Sequence, residues 1–180
     1  MRTDKKYEVS WLRRWEIISH LAYTYKMKRI AEIGVYYGDT AVRVMGPNTW
    51  EGKPHLRFEE YLLVDIVMRP CVLELENQYP YAKCLKMPSV EAAKLYEDEH
   101  FDLVFIDANH SYENVKEDTI AWWPKIKKGG WLLEHDYFYN GTAVPQGPKQ
   151  ACDEIFDGNF MLMHEESPWS NRCCVMKRKI

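Results

Sequence analysis

The chain reads as a doubly wound α/β fold: a mostly parallel sheet of seven strands, helices on both faces, and an antiparallel strand near the C-terminus. Three observations predict it. Short apolar runs alternate with helix-patterned stretches from residue 29 to residue 157. These runs are too continuously apolar for strands with one wet face, so the sheet is covered on both sides. The last two runs, FMLMHEE and RCCVMKRK, have no helix between them, which makes one of them antiparallel.

The elements follow in order. Trp11, Trp15, Ile18, Ala22 and Tyr25 recur at helical spacing, with Ser10 as the N-cap. RIAEIGV is a short buried strand ending at a glycine, and DTAVRVM the helix after it. PNTWEGKPHLRFEE reads as a surface insertion. YLLVDIV is a second apolar strand, closed by an acid. Pro70 opens a helix through Leu75. AKCLKM is a third strand, and Ser89 then caps a helix over VEAAKLYEDE. FDLVFID is a fourth strand. Ser111 starts a helix with Tyr112, Val115, Thr119, Trp122 and Ile126 down one side, and Lys127-Lys128-Gly129-Gly130 reads as its stop. WLLEHDY is the fifth strand, KQACDEIFD the last helix, and the two closing strands flank Pro168.

The 180 residues suit one domain: an N-terminal helix over 1–28, an α/β core over 29–157 and a strand pair over 158–180. With 24 basic against 27 acidic residues and a net charge of −3, no nucleic-acid partner is expected. No apolar run reaches the ~20 residues of a membrane span, and the charged start MRTDKKYEVS leads into no signal core. The five cysteines include no C-x-x-C pair, so a reducing cytoplasm is the simplest compartment.

Ligands of open α/β sheets sit beyond the C-terminal ends of the strands. The first such end is Glu32-Ile33-Gly34-Val35-Tyr36-Tyr37-Gly38-Asp39-Thr40, a turn in which a ligand can approach the backbone. The plain alternative is a tight turn with no ligand. A dinucleotide site wants G-x-G-x-x-G, but here Tyr36 and Asp39 replace its second and third glycines. The tyrosine obstructs a pyrophosphate and the aspartate repels it, so NAD is disfavoured. A nucleoside bearing an amino acid fits better. Asp65 ends the second strand, where an acid accepts from ribose hydroxyls; the alternative is a capping or solvent-facing acid. Ile66 and Pro88 can pack on a base. Ser89 can meet a purine edge or simply cap its helix.

Asp107 ends the fourth strand with His110 three residues on, and His135-Asp136 end the fifth. Neighbouring strands lie about 4.8 Å apart, so these four side chains converge. Two carboxylates with an imidazole suit a divalent cation, Mg²⁺ or Mn²⁺. His110 can also take a proton near neutral pH, or serve as a structural histidine at a helix start.

The segments EIGVYYGDT, LLVDI, FDLVFIDANHSYENVKED, IKKGGWLLEHDY and GPKQACDEIF, within residues 29 to 157, resemble the class I S-adenosylmethionine-dependent methyltransferases. The glycine segment is similar to the catechol O-methyltransferase-like branch, and FIDANHSY to small-molecule and sugar O-methyltransferases. The resemblance implies a Rossmann-like fold and a methyl transfer from S-adenosyl-L-methionine to a hydroxyl. It places Glu32, Gly34, Tyr36, Gly38 and Thr40 at the methionine end, Asp65 and Ile66 at the nucleoside, Ser89 at the adenine and Asp107 near the sulfonium. Asp107, His135 and Asp136 stand where relatives hold a metal, with His135 in the place of an acid. The sequence departs from the pattern at Ala108-Asn109, where Gly-Asp is usual. That pair leaves a nucleoside-binding protein without catalysis as the alternative. The acceptor pocket must come from the N-terminal helix, residues 45–60 and 137–148, or a second subunit in a homo-oligomer.

Overall fold

The computed structural model describes residues 7–8, 12–46, 57–137, 146–165 and 172–180. In chain order the elements are β1 (Tyr7–Glu8), α1 (Arg14–Thr24), β2 (Arg29–Ile33), α2 (Asp39–Met45), β3 (Glu60–Asp65), α3 (Pro70–Gln78) and β4 (Ala82–Lys86). Then come α4 (Ser89–Ala93), β5 (Phe101–Ile106), α5 (Tyr112–Trp122), β6 (Ile126–Glu134), α6 (Gly147–Phe156), β7 (Met161–Glu165) and β8 (Arg172–Arg178).

The strands form one sheet in the order β1-β7-β8-β6-β5-β2-β3-β4. All neighbours are parallel except β8, which is antiparallel to both β6 and β7. The seven expected strands are present, and the antiparallel one is the last. The addition is β1, two residues paired with β7 in the charged N-terminal stretch.

The core has two halves, one on each face. Ile17, Leu21, Val44, Val72 and Leu75 from α1, α2 and α3 pack on one side of the sheet. Ala92, Trp122, Cys152 and Phe156 from α4, α5 and α6 pack on the other. β2, β3 and β5 between them are almost wholly buried, which is why their sequences run apolar without alternation. No helix among the described residues is long and apolar enough to cross a membrane.

Three local expectations are corrected. The fifth helix ends at Trp122, not Ile126, because Pro124 has no N–H to continue it; a single 3₁₀ turn over Trp123–Lys125 follows. Lys127-Lys128-Gly129-Gly130 therefore lies inside β6. There it forms a bulge: β6 advances five residues, Ile126 to Trp131, while β5 advances two, Phe101 to Leu103. Gly130 is needed in it, since a Cβ would lie 2.7 Å from the Asp102 carbonyl oxygen. α4 stops at Ala93, because Tyr96 turns inward to stack on Phe101 and to donate its hydroxyl to Glu60 Oε1 (3.0 Å). Finally, the N-cap of α1 is Arg13, whose N–H donates to Glu16 Oε2 at 2.7 Å; the expected cap Ser10 and Trp11 lie outside the described residues, as does most of the 47–60 insertion.

Candidate active site

The C-terminal ends of β2, β3, β4 and β5 lie side by side, with Ile33 paired to both Val64 and Ile106. They floor a cavity of about 410 Å³ that α5 walls on one side. Gly34, Asp65, Ile66, Ser89 and Asp107 line it, together with Asn114, Glu117 and Asp118 from α5. Its acids are Asp65, Asp107, Glu117 and Asp118, and among the described residues no lysine or arginine lines it. Such a lining disfavours phosphates and suits a neutral or cationic ligand.

The glycine turn is built largely by the protein's own contacts. Gly34 has φ +84°, and a Cβ there would lie 2.2 Å from the Asp107 carbonyl oxygen. Gly34 also lines the cavity, so the crossing Asp107-Ala108 backbone after β5 is a reason for the glycine that stands beside ligand approach. Gly38 (φ +81°) precedes α2 in the left-handed region, and its missing Cβ would meet nothing closer than 3.4 Å. Tyr36 also has a positive φ, +52°. Its ring is 63% exposed at the cavity lip, under the Arg69 guanidinium, which lies 4.2 Å from its centroid and 4.3 Å from that of Tyr37.

Asp65 explains how a tyrosine is held there. Its Oδ2 accepts from the N–H groups of Val35 (3.0 Å) and Tyr36 (2.9 Å), and its Oδ1 from Val67 N–H (2.9 Å). The donors that would cradle a pyrophosphate are thus already filled by a carboxylate. This, more than the bulk of Tyr36, is the physical case against a dinucleotide. Three of the roughly four lone-pair directions of the carboxylate are used, leaving room for about one further hydrogen bond. Ile66 stands 67% exposed beside it.

Ser89 does not cap α4. It is the first helical residue after Pro88, and its Oγ accepts the Trp122 indole N–H at 2.8 Å. It also bonds to Asp118, whose carboxyl is pushed up by burial despite that bond. Asn114 and Asp118 carry the cavity wall, and sequence reasoning missed them by reading α5 only for its apolar stripe. Their four-residue spacing put both on one face. Asn114 Oδ1 is buried without a hydrogen-bond partner.

The expected charged cluster does assemble. His135 Nδ1 lies 3.1 Å from Asp107 Oδ1 and 3.3 Å from Asp136 Oδ1. His110 Nε2 lies 3.4 Å from Asp107 Oδ1 and 3.5 Å from Asp136 Oδ2. Burial alone would raise the Asp107 carboxyl, but the His135 charge and the two imidazoles outweigh it and hold the group well below the usual carboxylate range. Burial would likewise lower His135, and Asp107 outweighs it, holding the imidazole well above its usual range. Asp136 sits at φ +55°, a strained backbone that turns its carboxylate inward.

The donor set for a cation differs from the expected one. Asp107, His110 and Asp136 bring ligand atoms within 4.8 Å of one another. His135 is not in this set, because its side chain is sealed beneath the strand ends, edge-on to Phe105. Two carboxylate oxygens and one imidazole nitrogen are a donor set that would suit Mg²⁺ or Mn²⁺.

The remaining expected residues lie beneath the turn. Glu32 is buried; its carboxylate accepts from the Tyr61 hydroxyl at 2.9 Å, and burial pushes its pKa up to about 8. Thr40 Oγ1 accepts from Arg14 Nε at 2.8 Å. Arg14, which no sequence motif marks, also lies 3.9 Å from Asp107 Oδ2.

Residues 31–137 match the family model of the methyltransferase domain. The uncharacterised protein y4gI of Sinorhizobium fredii is 28% identical over 141 residues, 71% of this chain; the chain spans only 15% of that protein's length. Among solved structures, a candidate O-methyltransferase from Klebsiella pneumoniae superposes with a TM-score of 0.65 at 15% identity, covering 93% of this chain and 80% of that one. The trans-methyltransferase CalH in complex with S-adenosylhomocysteine gives 0.62 at 18% identity, over 91% of this chain and 55% of that one. The 1,6-didemethyltoxoflavin-N1-methyltransferase of Burkholderia thailandensis, with its substrate and S-adenosylhomocysteine bound, gives 0.60 at 11% identity, over 91% and 75%. At these identities the structures establish the fold, and the sequence match establishes the family: the chain belongs to the methyltransferase-domain family and has the class I S-adenosylmethionine-dependent methyltransferase fold.

Proposed function

We propose that the chain transfers a methyl group from S-adenosyl-L-methionine to the hydroxyl of a small acceptor, a sugar or another hydroxylated molecule. The observation that carries the reading is the cavity at the ends of β2 to β5, lined by four acids and, among the described residues, by no lysine or arginine, whose turn N–H groups Asp65 already occupies. It suits a ligand that carries a ribose, a base and positive charge, and no phosphate. Bound there, the cofactor supplies an electrophilic methyl group.

The chain's own residues do the rest. Asp65 accepts from a ribose hydroxyl with its remaining lone pair, and Ile66 and Pro88 cover the base. Ser89 and Asp118 lie at the far wall, where a purine edge would meet them. Glu32, Gly34, Tyr36, Gly38 and Thr40 surround the methionine end, and Asp107 faces the methyl transfer. A hydroxyl is a poor nucleophile until its proton leaves. His110 Nε2 can take that proton, and Asp107 and Asp136 at 3.4 and 3.5 Å stabilise the imidazolium. The same nitrogen can instead join Asp107 and Asp136 around Mg²⁺ or Mn²⁺, which would acidify the hydroxyl. One lone pair serves one role at a time, so base and ligand are alternative forms of the site.

Titration calorimetry tests the reading directly. S-adenosylhomocysteine should bind and NADH should not. Binding of NADH without S-adenosylhomocysteine would overturn it.

A further inference from the structure

We propose that α6 braces the charged cluster and that Asp153 is its positioning residue: through Tyr137 it holds Asp136 facing His110. The inference rests on the reading of Asp107, His110 and Asp136 as a donor set for a divalent cation, and it names what sets their spacing.

The sheet itself fixes Asp107, whose N–H donates to the Ile33 carbonyl at 2.8 Å. His110 and Asp136 stand on the turns beyond the strand ends, 3.5 Å apart. Asp136 has φ +55°, and such a backbone persists only where its flanks are held. On one flank the N–H of His135 donates to the Ile106 carbonyl at 3.0 Å. On the other is Tyr137, whose buried ring meets Phe160 edge-on at 5.4 Å. Its hydroxyl donates to Asp153 Oδ1 at 2.7 Å. Lys149, one turn earlier on α6, donates to the other oxygen of Asp153 at 2.5 Å and lies 5.5 Å from the Tyr137 ring centroid. Phenol, carboxylate and ammonium thus close on one another, and the chain leaving Asp136 is tied to α6.

The same helix meets His110. A Cβ on Gly147, the first residue of α6, would lie 2.2 Å from the His110 carbonyl oxygen and 2.6 Å from the Tyr112 nitrogen. Any side chain there would force the helix away from the turn. Glu154 closes the same side, accepting from the Tyr112 hydroxyl and, at 2.7 Å, from Lys116 Nζ. Ala151, Cys152 and Phe156 seat α6 in the core. One helix therefore abuts the backbone of His110 at its start and grips the neighbour of Asp136 further along. Gly147, Tyr137 and Asp153 lie outside the lining of the cavity, so the brace acts on the charged cluster and not on the cofactor.

Tyr137→Phe keeps the ring and removes only the hydroxyl. Binding of Mn²⁺ alone, followed by electron paramagnetic resonance of the free ion, should weaken roughly tenfold, the lower end of what loss of an outer-shell partner costs. Asp153→Ala should weaken it by a similar factor. Asp153→Asn still offers Tyr137 an acceptor and should restore most of the loss. The double variant Tyr137→Phe/Asp153→Ala should fall within twofold of the worse single variant, because both changes break one contact. Calorimetry should show S-adenosylhomocysteine affinity within twofold throughout. Unchanged Mn²⁺ affinity in Tyr137→Phe overturns the proposal, as does a double variant whose losses multiply. Loss of S-adenosylhomocysteine affinity in step with Mn²⁺ marks a merely structural role and overturns it too. If the unaltered chain binds S-adenosylhomocysteine but no Mn²⁺, the donor-set reading fails and the proposal falls with it, while the methyl-transfer reading stands.

Discussion

Glu32→Gln isolates the carboxyl buried beneath the glycine turn. Burial holds this group up to about 8 from an ordinary 4.5, with the Tyr61 hydroxyl opposing the shift and Asp107 adding to it. Between those values the folded chain keeps a proton that the unfolded chain has released. The sign follows: stability falls as pH rises through this window, because the unfolded state binds fewer protons. One proton corresponds to about 1.4 kcal/mol per pH unit. From pH 5.5 to 7.5 the cost of keeping Glu32 buried therefore grows by roughly 2–3 kcal/mol. Glutamine is neutral throughout and still offers Tyr61 an acceptor, so the variant escapes this cost. Glu134 and His135 are also held above their ordinary values and tilt the unaltered chain the same way. The difference between the two proteins, not either curve alone, is thus the diagnostic quantity. Urea titrations followed by circular dichroism at pH 5.5, 6.5 and 7.5, without ligand, give it by linear extrapolation. The variant should gain roughly 2–3 kcal/mol on the unaltered chain across the series. Curves that stay parallel within about 0.5 kcal/mol would show that Glu32 is ionised in the folded state and refute the reasoning.

Gly34→Ala should destabilise by roughly 2–5 kcal/mol, combining a left-handed backbone with a Cβ driven into the Asp107 carbonyl, while Gly38→Ala should cost only about 1–2 kcal/mol; equal losses in thermal unfolding would contradict this account of the turn. Once screening of sugars and phenols supplies an acceptor, EDTA should stop turnover and Mg²⁺ or Mn²⁺ restore it if the Asp107–His110–Asp136 set binds a metal. If EDTA has no effect, His110→Ala should lower kcat by ~10²–10⁴ and leave a residual rate that climbs with pH; full activity under both perturbations would remove His110 from catalysis.

Most of the fold was legible because its strands are buried on both faces. RIAEI, EYLLVD and FDLVFI lack the alternation of half-wet strands, and the helices between them follow. The errors came where a distant contact outvoted a local signal. KKGG looks like a helix stop, but Pro124 had already ended the helix. VEAAKLYEDE has strong helical propensity, yet Tyr96 gains more by reaching Glu60 and Phe101. In the site, the strand-end acids were legible because the topology alone brings them together. Which imidazole faces outward was not: His110 and His135 differ in the direction of their side chains, and only packing decides that. Arg14 was invisible, because its partners Thr40 and Asp107 lie 26 and 93 positions away in an order no motif encodes.

The place of β8 has a consequence for how the chain is made. It is the last strand of this sheet in chain order, yet it lies between β6 and β7, pairing with both. Until it arrives, β6 presents an open edge and β7 has no path to the rest of the sheet. The nascent chain can pair β2, β3, β4, β5 and β6 as they emerge, but that intermediate carries an unpaired apolar strand, the kind of surface that recruits other chains. Trp131, Leu132 and Leu133 stand along that edge, opposite Arg178, Lys177 and Met176 of β8. The final strand thus seals the sheet from within, and the apolar edge of β6 stays open until β8 pairs with it.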